Sequence, residues 1–115
     1  MFSYRHAFHA GNHADVLKHV VLIQVLLYTC QKETPFFYID THAGGGIYSL
    51  QGHEAKKHAE FQSGIGKLWK EKAAPKPVED YLRLIRSMNP DGALNVYPGS
   101  PCIADIILRH HDKLR

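Results

Sequence analysis

The sequence predicts an α/β fold that it begins and does not finish, on three observations. The run Phe36-Phe37-Tyr38-Ile39 is short, continuous and apolar, as in a central parallel strand covered on both faces. It ends at Asp40 and leads directly into Thr41-His42-Ala43-Gly44-Gly45-Gly46, where the glycines open positive φ to the backbone and let a ligand approach closely. Around these the order is helix, strand, glycine loop, helical segment, short strand and helix. Two strands cannot bury both faces of a sheet against these helices, so the chain reads as the N-terminal piece of a longer protein.

Each element follows from local chemistry. The first eleven residues carry aromatics and histidines without helical periodicity and read as an extended arm. Asn12 and Asp15 are close to a capping box and predict a helix from near His13 to about Gln31. Its apolar residues, from Val16 to Leu27, cover much of the circumference, which predicts burial on more than one side. Pro35 blocks further helix and the strand follows. Between Glu54 and Lys72 the pattern is helical but broken by Gly64 and Gly66, so two short helices fit as well as one. A third helix, carrying Val78, Tyr81, Leu82, Leu84 and Ile85, lies between the Pro75–Pro77 break and Asn89-Pro90-Asp91-Gly92. Leu94 to Tyr97 forms a short strand, Pro98-Gly99 a turn, and Ser100 the N-cap of a last helix with Pro101 at its first position. Ile103, Ile106, Ile107 and His110 are expected along its buried side.

Composition narrows the function classes. At 115 residues, 44% apolar and 22% charged, the chain is one globular domain at most. Its longest apolar stretch, Val20 to Tyr28, is interrupted by Gln24 and is too short to span a bilayer, which takes about 20 residues. The start of the chain does not have the pattern of a secretory signal, so the expected compartment is cytoplasmic. Cys30 and Cys102 match neither a zinc spacing nor a disulfide framework and read as reduced core residues. The net charge of +3 permits a nucleic-acid partner without arguing for one.

A strand ending in an acid, followed by a glycine-rich loop, is the general arrangement that places a nucleotide-like cofactor at the carboxyl end of a parallel sheet. The loop has neither the Gly-Lys-Ser/Thr of a Walker motif nor a strict Gly-x-Gly-x-x-Gly, so a ligand without phosphate fits better. Taken alone, such glycines serve a tight turn as readily as a cofactor. His9 and His13, four apart, raise a metal site as a rival, but Gly11 and Asn12 put the helix start between them and no acid or cysteine has a matching position. No metal is therefore expected. Tyr4 and Phe8, with Arg5, offer stacking faces and a phosphate-seeking charge of the kind used on unpaired bases.

The residues from Ser3 to His19 (Ser-Tyr-Arg-His-Ala-Phe-His-Ala-Gly-Asn-His-Ala-Asp-Val-Leu-Lys-His) closely resemble the N-terminus of the bacterial 23S ribosomal RNA adenine-N6 methyltransferases of the RlmJ type. The blocks Tyr38 to Gly44 and Tyr97 to Pro101 agree as well. The resemblance covers the whole chain, more loosely between Ser49 and Leu94, and about the first two-fifths of the family's length. It implies the N-terminal part of a Rossmann-like class I fold that uses S-adenosyl-L-methionine, with a small helical subdomain inserted. Residues 1–46 and 94–115 would belong to the methyltransferase domain and 47–93 to the insertion. By motif it puts His19, His42 and Ser100 on the cofactor, with Asp40 and Gly44 shaping the loop. Tyr4 becomes a candidate for the target adenine, with His6 and Lys18 as substrate or closure contacts, and 23S ribosomal RNA is the implied partner. Such enzymes carry an Asp-Pro-Pro-Tyr type motif; Asn89-Pro90-Asp91-Gly92 lacks its second proline and aromatic, so the catalytic acid is expected beyond Arg115 and the chain alone is expected to be inactive. The full-length protein is expected to be monomeric, and the fragment, with an unpaired strand edge, prone to dimerise. A non-catalytic RNA-binding module is the alternative reading.

Overall fold

The structure, a computed structural model, describes residues 9–40, 46–50 and 60–114. Helix α1 runs from His13 to Thr29. The Asn12 side chain accepts the Asp15 N–H at 3.0 Å, and Asp15 reaches back to accept the Gly11 N–H at 3.0 Å. The expected cap is therefore present, and two N–H groups at the helix start are satisfied. Gly11 has φ of 76°, and a Cβ there would lie 2.8 Å from Ile65 Cγ2. Its carbonyl accepts the Ile65 N–H at 2.9 Å, seating the start of α1 on the short helix α2, Ile65–Leu68. A 3₁₀ turn, Glu60–Ser63, precedes α2, so the interrupted segment resolves into short pieces.

One expectation for α1 needs correction. Its buried residues, Asp15, His19, Ile23 and Leu26, form a single stripe. That stripe packs on α3, Lys76–Ser87, and on α4, Ser100–Ile107. On the opposite side Leu17 is 69% exposed and Tyr28 66%, with Val21 and Val25 more than half exposed. Among the described residues no element lies over that second apolar face, so the helix is buried on one side only.

The strands form two pairs. β1, Phe37–Tyr38, lies parallel to β4, Lys113–Leu114, while β2, Ile47–Ser49, runs antiparallel to β3, Val96–Pro98, with Tyr48 opposite Tyr97. β1 is shorter than the apolar run suggested, and Phe37 and Ile39 are exposed, because it has one described neighbour rather than two. β2 was not anticipated: three residues of mixed exposure carry little local signal, and its partner lies far along the chain.

Two polar side chains fix the joins. Buried Asn89 donates to the carbonyls of Ile85 at 2.9 Å and Val96 at 3.1 Å, and its Oδ1 accepts the N–H groups of Asn95 and Val96. It thus closes α3 and starts β3, and its sequence string serves a turn. Arg109 holds Asp112 through Nε at 2.9 Å and donates to the carbonyls of Cys30 at 3.1 Å and Lys32 at 2.5 Å, which follow the end of α1. Asp112 in turn accepts the Phe36 N–H at 3.0 Å, so β1 and β4 begin from one clamp. α4 departs from expectation in that Gly99, not Ser100, is the N-cap, and Ile106 and His110 are exposed, since only the Ile103 and Ala104 side of the helix meets the core. Both cysteines are outside any disulfide and only partly buried, so neither is a full core residue; burial, with Asp105 adding, pushes the Cys102 thiol up.

Replacing Asn89 with Ala leaves two backbone N–H groups without their acceptor, and a loss of about 3 kcal/mol in urea unfolding is expected. The Arg109 guanidinium beside Asp112 holds that carboxyl below the usual range. A depressed native pKa stabilises the fold above the unfolded value, about 4, and that contribution is lost as pH falls through the native value. The melting temperature should therefore drop in acid below about pH 4, and Asp112→Asn should flatten that drop; an identical acid profile in the variant would contradict the assignment.

Candidate functional site

The glycine loop is fastened at both ends to one place. Before it, Asp40 follows β1 and accepts a hydrogen bond from the Ser100 hydroxyl at the start of α4. The Tyr38 hydroxyl donates to the same Asp40 oxygen at 3.1 Å. After it, the Gly46 carbonyl accepts the Gly99 N–H at 2.8 Å. Asp40 and Gly46, which flank residues 41–45 in sequence, are thus both held at Gly99 and Ser100. This also explains the shifted cap: the Ser100 hydroxyl is committed to Asp40, so α4 begins at Gly99 without a side-chain cap. Burial, reinforced by Asp40, pushes the Tyr38 phenol up to about 12.

A second polar group lies in the core next to this junction. His19 on α1 is 1% exposed, and its Nδ1 lies 2.7 Å from the Tyr97 hydroxyl. The hydroxyls of Tyr97 and Tyr81 are 2.9 Å apart. Burial pushes both phenols above their ordinary range, with the charge of Asp15 adding to the effect, so both stay protonated at neutral pH. Tyr97 is three residues before Ser100, and the segment between them is Pro98-Gly99, so His19 and the loop anchors are held by the same short stretch of chain.

Of the residues singled out by sequence, His19, Asp40 and Ser100 are therefore tied to the Tyr97–Ser100 segment. Lys18 is exposed on α1, immediately before His19. Tyr4, His6, His42 and Gly44 lie outside the described residues. The rival pair is separated by its partners: His9 meets Glu60 at 2.7 Å and His13 is exposed. Among the described residues no three His, Cys, Asp or Glu side chains gather as metal ligands, and no helix is long and apolar enough to cross a membrane. Tyr97 and Tyr81 were missed as polar partners. The available signal was tyrosine on an otherwise apolar stripe, since a buried phenol usually has a hydrogen-bond partner.

Over residues 33–115 the chain matches the family described as ribosomal RNA large subunit methyltransferase D, RlmJ. It is 45% identical over 115 residues to the ribosomal RNA large subunit methyltransferase J of Escherichia coli (strain K12). It is 47% identical over 114 residues to the protein of the same name from Haemophilus influenzae. These alignments take in 100% and 98% of the chain, which spans 41% of the length of each relative. A crystal structure of a Legionella pneumophila protein superposes with a TM-score of 0.83 at 39% identity, covering 91% of this chain and 38% of that one.

If Asp40 supports Tyr38 as described, Asp40→Asn lowers the Tyr38 pKa from about 12 towards the ordinary phenol value without reaching it, because burial, the larger cause, remains. Titration of the Tyr38 ring by NMR reads the change; an unmoved midpoint would rule out the carboxylate's part.

Proposed function

The chain belongs to the family of ribosomal RNA large subunit methyltransferases of the RlmJ type, and on that premise we propose that it forms the cofactor-binding first part of an S-adenosylmethionine-dependent enzyme acting on the N6 amine of an adenine in 23S ribosomal RNA. The observation that carries the reading is the double anchoring of the glycine loop at Gly99 and Ser100. It brings the end of a strand, Gly46 and the start of a helix to one point, as a class I, Rossmann-like site requires. The division into 1–46 and 94–115 around an inserted 47–93 belongs to the same proposal, as do a cytoplasmic location and a monomeric full-length protein.

The donor set suits this cofactor, which carries hydroxyls, an ammonium and a carboxylate. Asp40 offers an acceptor, Ser100 a hydroxyl and His19 a ring nitrogen, and among the described residues nothing lies within 4 Å of where a Cβ on Gly46 would sit. His19, His42 and Ser100 hold the cofactor, and Asp40 sets the direction of the Ser100 hydroxyl. When bound, S-adenosylmethionine supplies an electrophilic methyl on a sulfonium. The amine of adenine is a poor nucleophile because its lone pair is delocalised into the ring, so the protein's task is alignment and charge stabilisation. Tyr4 stacks on the extruded base, and His6 and Lys18 contact the RNA. Lys18 and His19 are adjacent on α1, one exposed and one buried, so a single turn of helix faces both RNA and cofactor. The acid that accepts the amine hydrogens belongs to the portion of the relatives' length that this chain does not span, and the chain alone is inactive.

Calorimetric titration with S-adenosylmethionine tests the reading. Saturable binding is expected, weakened about tenfold by Ser100→Ala and again by His19→Ala, the size of one lost hydrogen bond each. Binding unchanged in both variants would overturn the site. Salt-dependent RNA binding with no cofactor binding at all would instead indicate a non-catalytic RNA module.

A further inference from the structure

The hydroxyls behind His19 fix more than its position. The His19 ring, Tyr97 and Tyr81 form a line of three groups, each no more than 1% exposed, with contacts of 2.7 Å and 2.9 Å. The line contains two hydroxyl protons, and their direction can be decided by accounting. Among the described residues the Tyr81 hydroxyl has a single partner, Tyr97. Were the imidazole to donate from Nδ1, the Tyr97 oxygen would accept it and Tyr97 would donate to Tyr81. The Tyr81 proton would then be buried without an acceptor, which costs its full desolvation. In the opposite direction both hydroxyl protons are used: Tyr81 donates to Tyr97, and Tyr97 donates to Nδ1, with the imidazole's own proton on Nε2.

We propose that Tyr97, oriented by Tyr81, is a positioning residue that holds His19 as the neutral imidazole with its proton on Nε2. Which ring nitrogen carries the proton is set by the bond the other makes, and here Nδ1 is the acceptor. The rings also pack against each other, with centroids 5.4 Å apart and planes tilted by 31°, which limits rotation of the imidazole. Both phenols stay protonated because burial opposes their ionisation and the Asp15 charge adds to that opposition. The consequence for binding rests on the function proposed above. A cationic sulfonium cofactor is better met by a neutral ring than by an imidazolium, and Nε2–H is a preset donor for one of its oxygen atoms.

Nitrogen-15 NMR of the His19 ring in the unliganded protein reads the tautomer directly. The expected result is Nδ1 unprotonated and Nε2 protonated at neutral pH; a proton on Nδ1 would overturn the inference without any variant. Tyr97→Phe keeps the ring and removes the hydroxyl. It should release the fixed tautomer and weaken S-adenosylmethionine binding about tenfold while the far-ultraviolet circular dichroism stays the same. Unchanged cofactor affinity in that variant would also overturn it. The two proposals fail separately: a protein that shows the expected tautomer but binds no cofactor removes the proposed function and leaves the hydroxyl assignment standing. A protein that binds cofactor with the proton on Nδ1 does the reverse.

Discussion

The hydrogen bond from Ser100 to Asp40 ties the end of a strand to the start of a helix, with a glycine-rich stretch of sequence following Asp40. Glycine-rich chain has more conformational freedom to lose than any other, so such a loop keeps a defined entrance and exit only if both are held from outside. Here one tetrapeptide does the holding. From Tyr97 to Ser100 it provides the end of β3, a hydroxyl for His19, a backbone donor for Gly46 and a side-chain donor for Asp40. Everything assigned to cofactor contact among the described residues depends on where those four residues sit.

What holds the tetrapeptide is the packing around α1. The helix lends one stripe to α3 and α4, and α3 returns the Tyr81 hydroxyl to the same point. Asn89 sets the spacing between α3 and β3 from the other side. At the far end the Arg109 and Asp112 clamp joins the exit of α1 to the sheet formed by β1 and β4. The polar groups that matter are thus placed at joins between elements, where a satisfied bond fixes geometry, while buried apolar residues, Ile23, Ile85 and Ile103 among them, form the core. The exposed stripe from Leu17 to Tyr28 belongs to a helix with a second apolar side, in a chain that spans 41% of its relatives' length.

Local chemistry was legible in the sequence and non-local chemistry was not. The start of α1 could be placed because Asn12 and Asp15 act within one turn. Its end was misplaced by two residues because nothing nearby decides it and Arg109 arrives from the other end of the chain. Ser100 had the right chemistry for a helix cap, but its hydroxyl is used by Asp40, a residue distant in sequence. β2 was invisible because only its pairing with β3 makes it a strand. At the site, Asp40 and the glycine loop could be read from their order alone, whereas His19 and Ser100 came from the motif resemblance. Tyr97, which the same motif contains, could not be identified as the partner of His19 before α1 and β3 were brought together.

The proposed S-adenosylmethionine site lies where Asp40 and Gly46 meet Gly99 and Ser100. The most direct measurement is a titration of the isotope-labelled protein with S-adenosylmethionine, followed by two-dimensional NMR. Saturable shifts concentrated at His19, Asp40, Gly46, Gly99 and Ser100 are the predicted result. Saturable shifts confined to residues away from this junction, or none at all, would contradict the account.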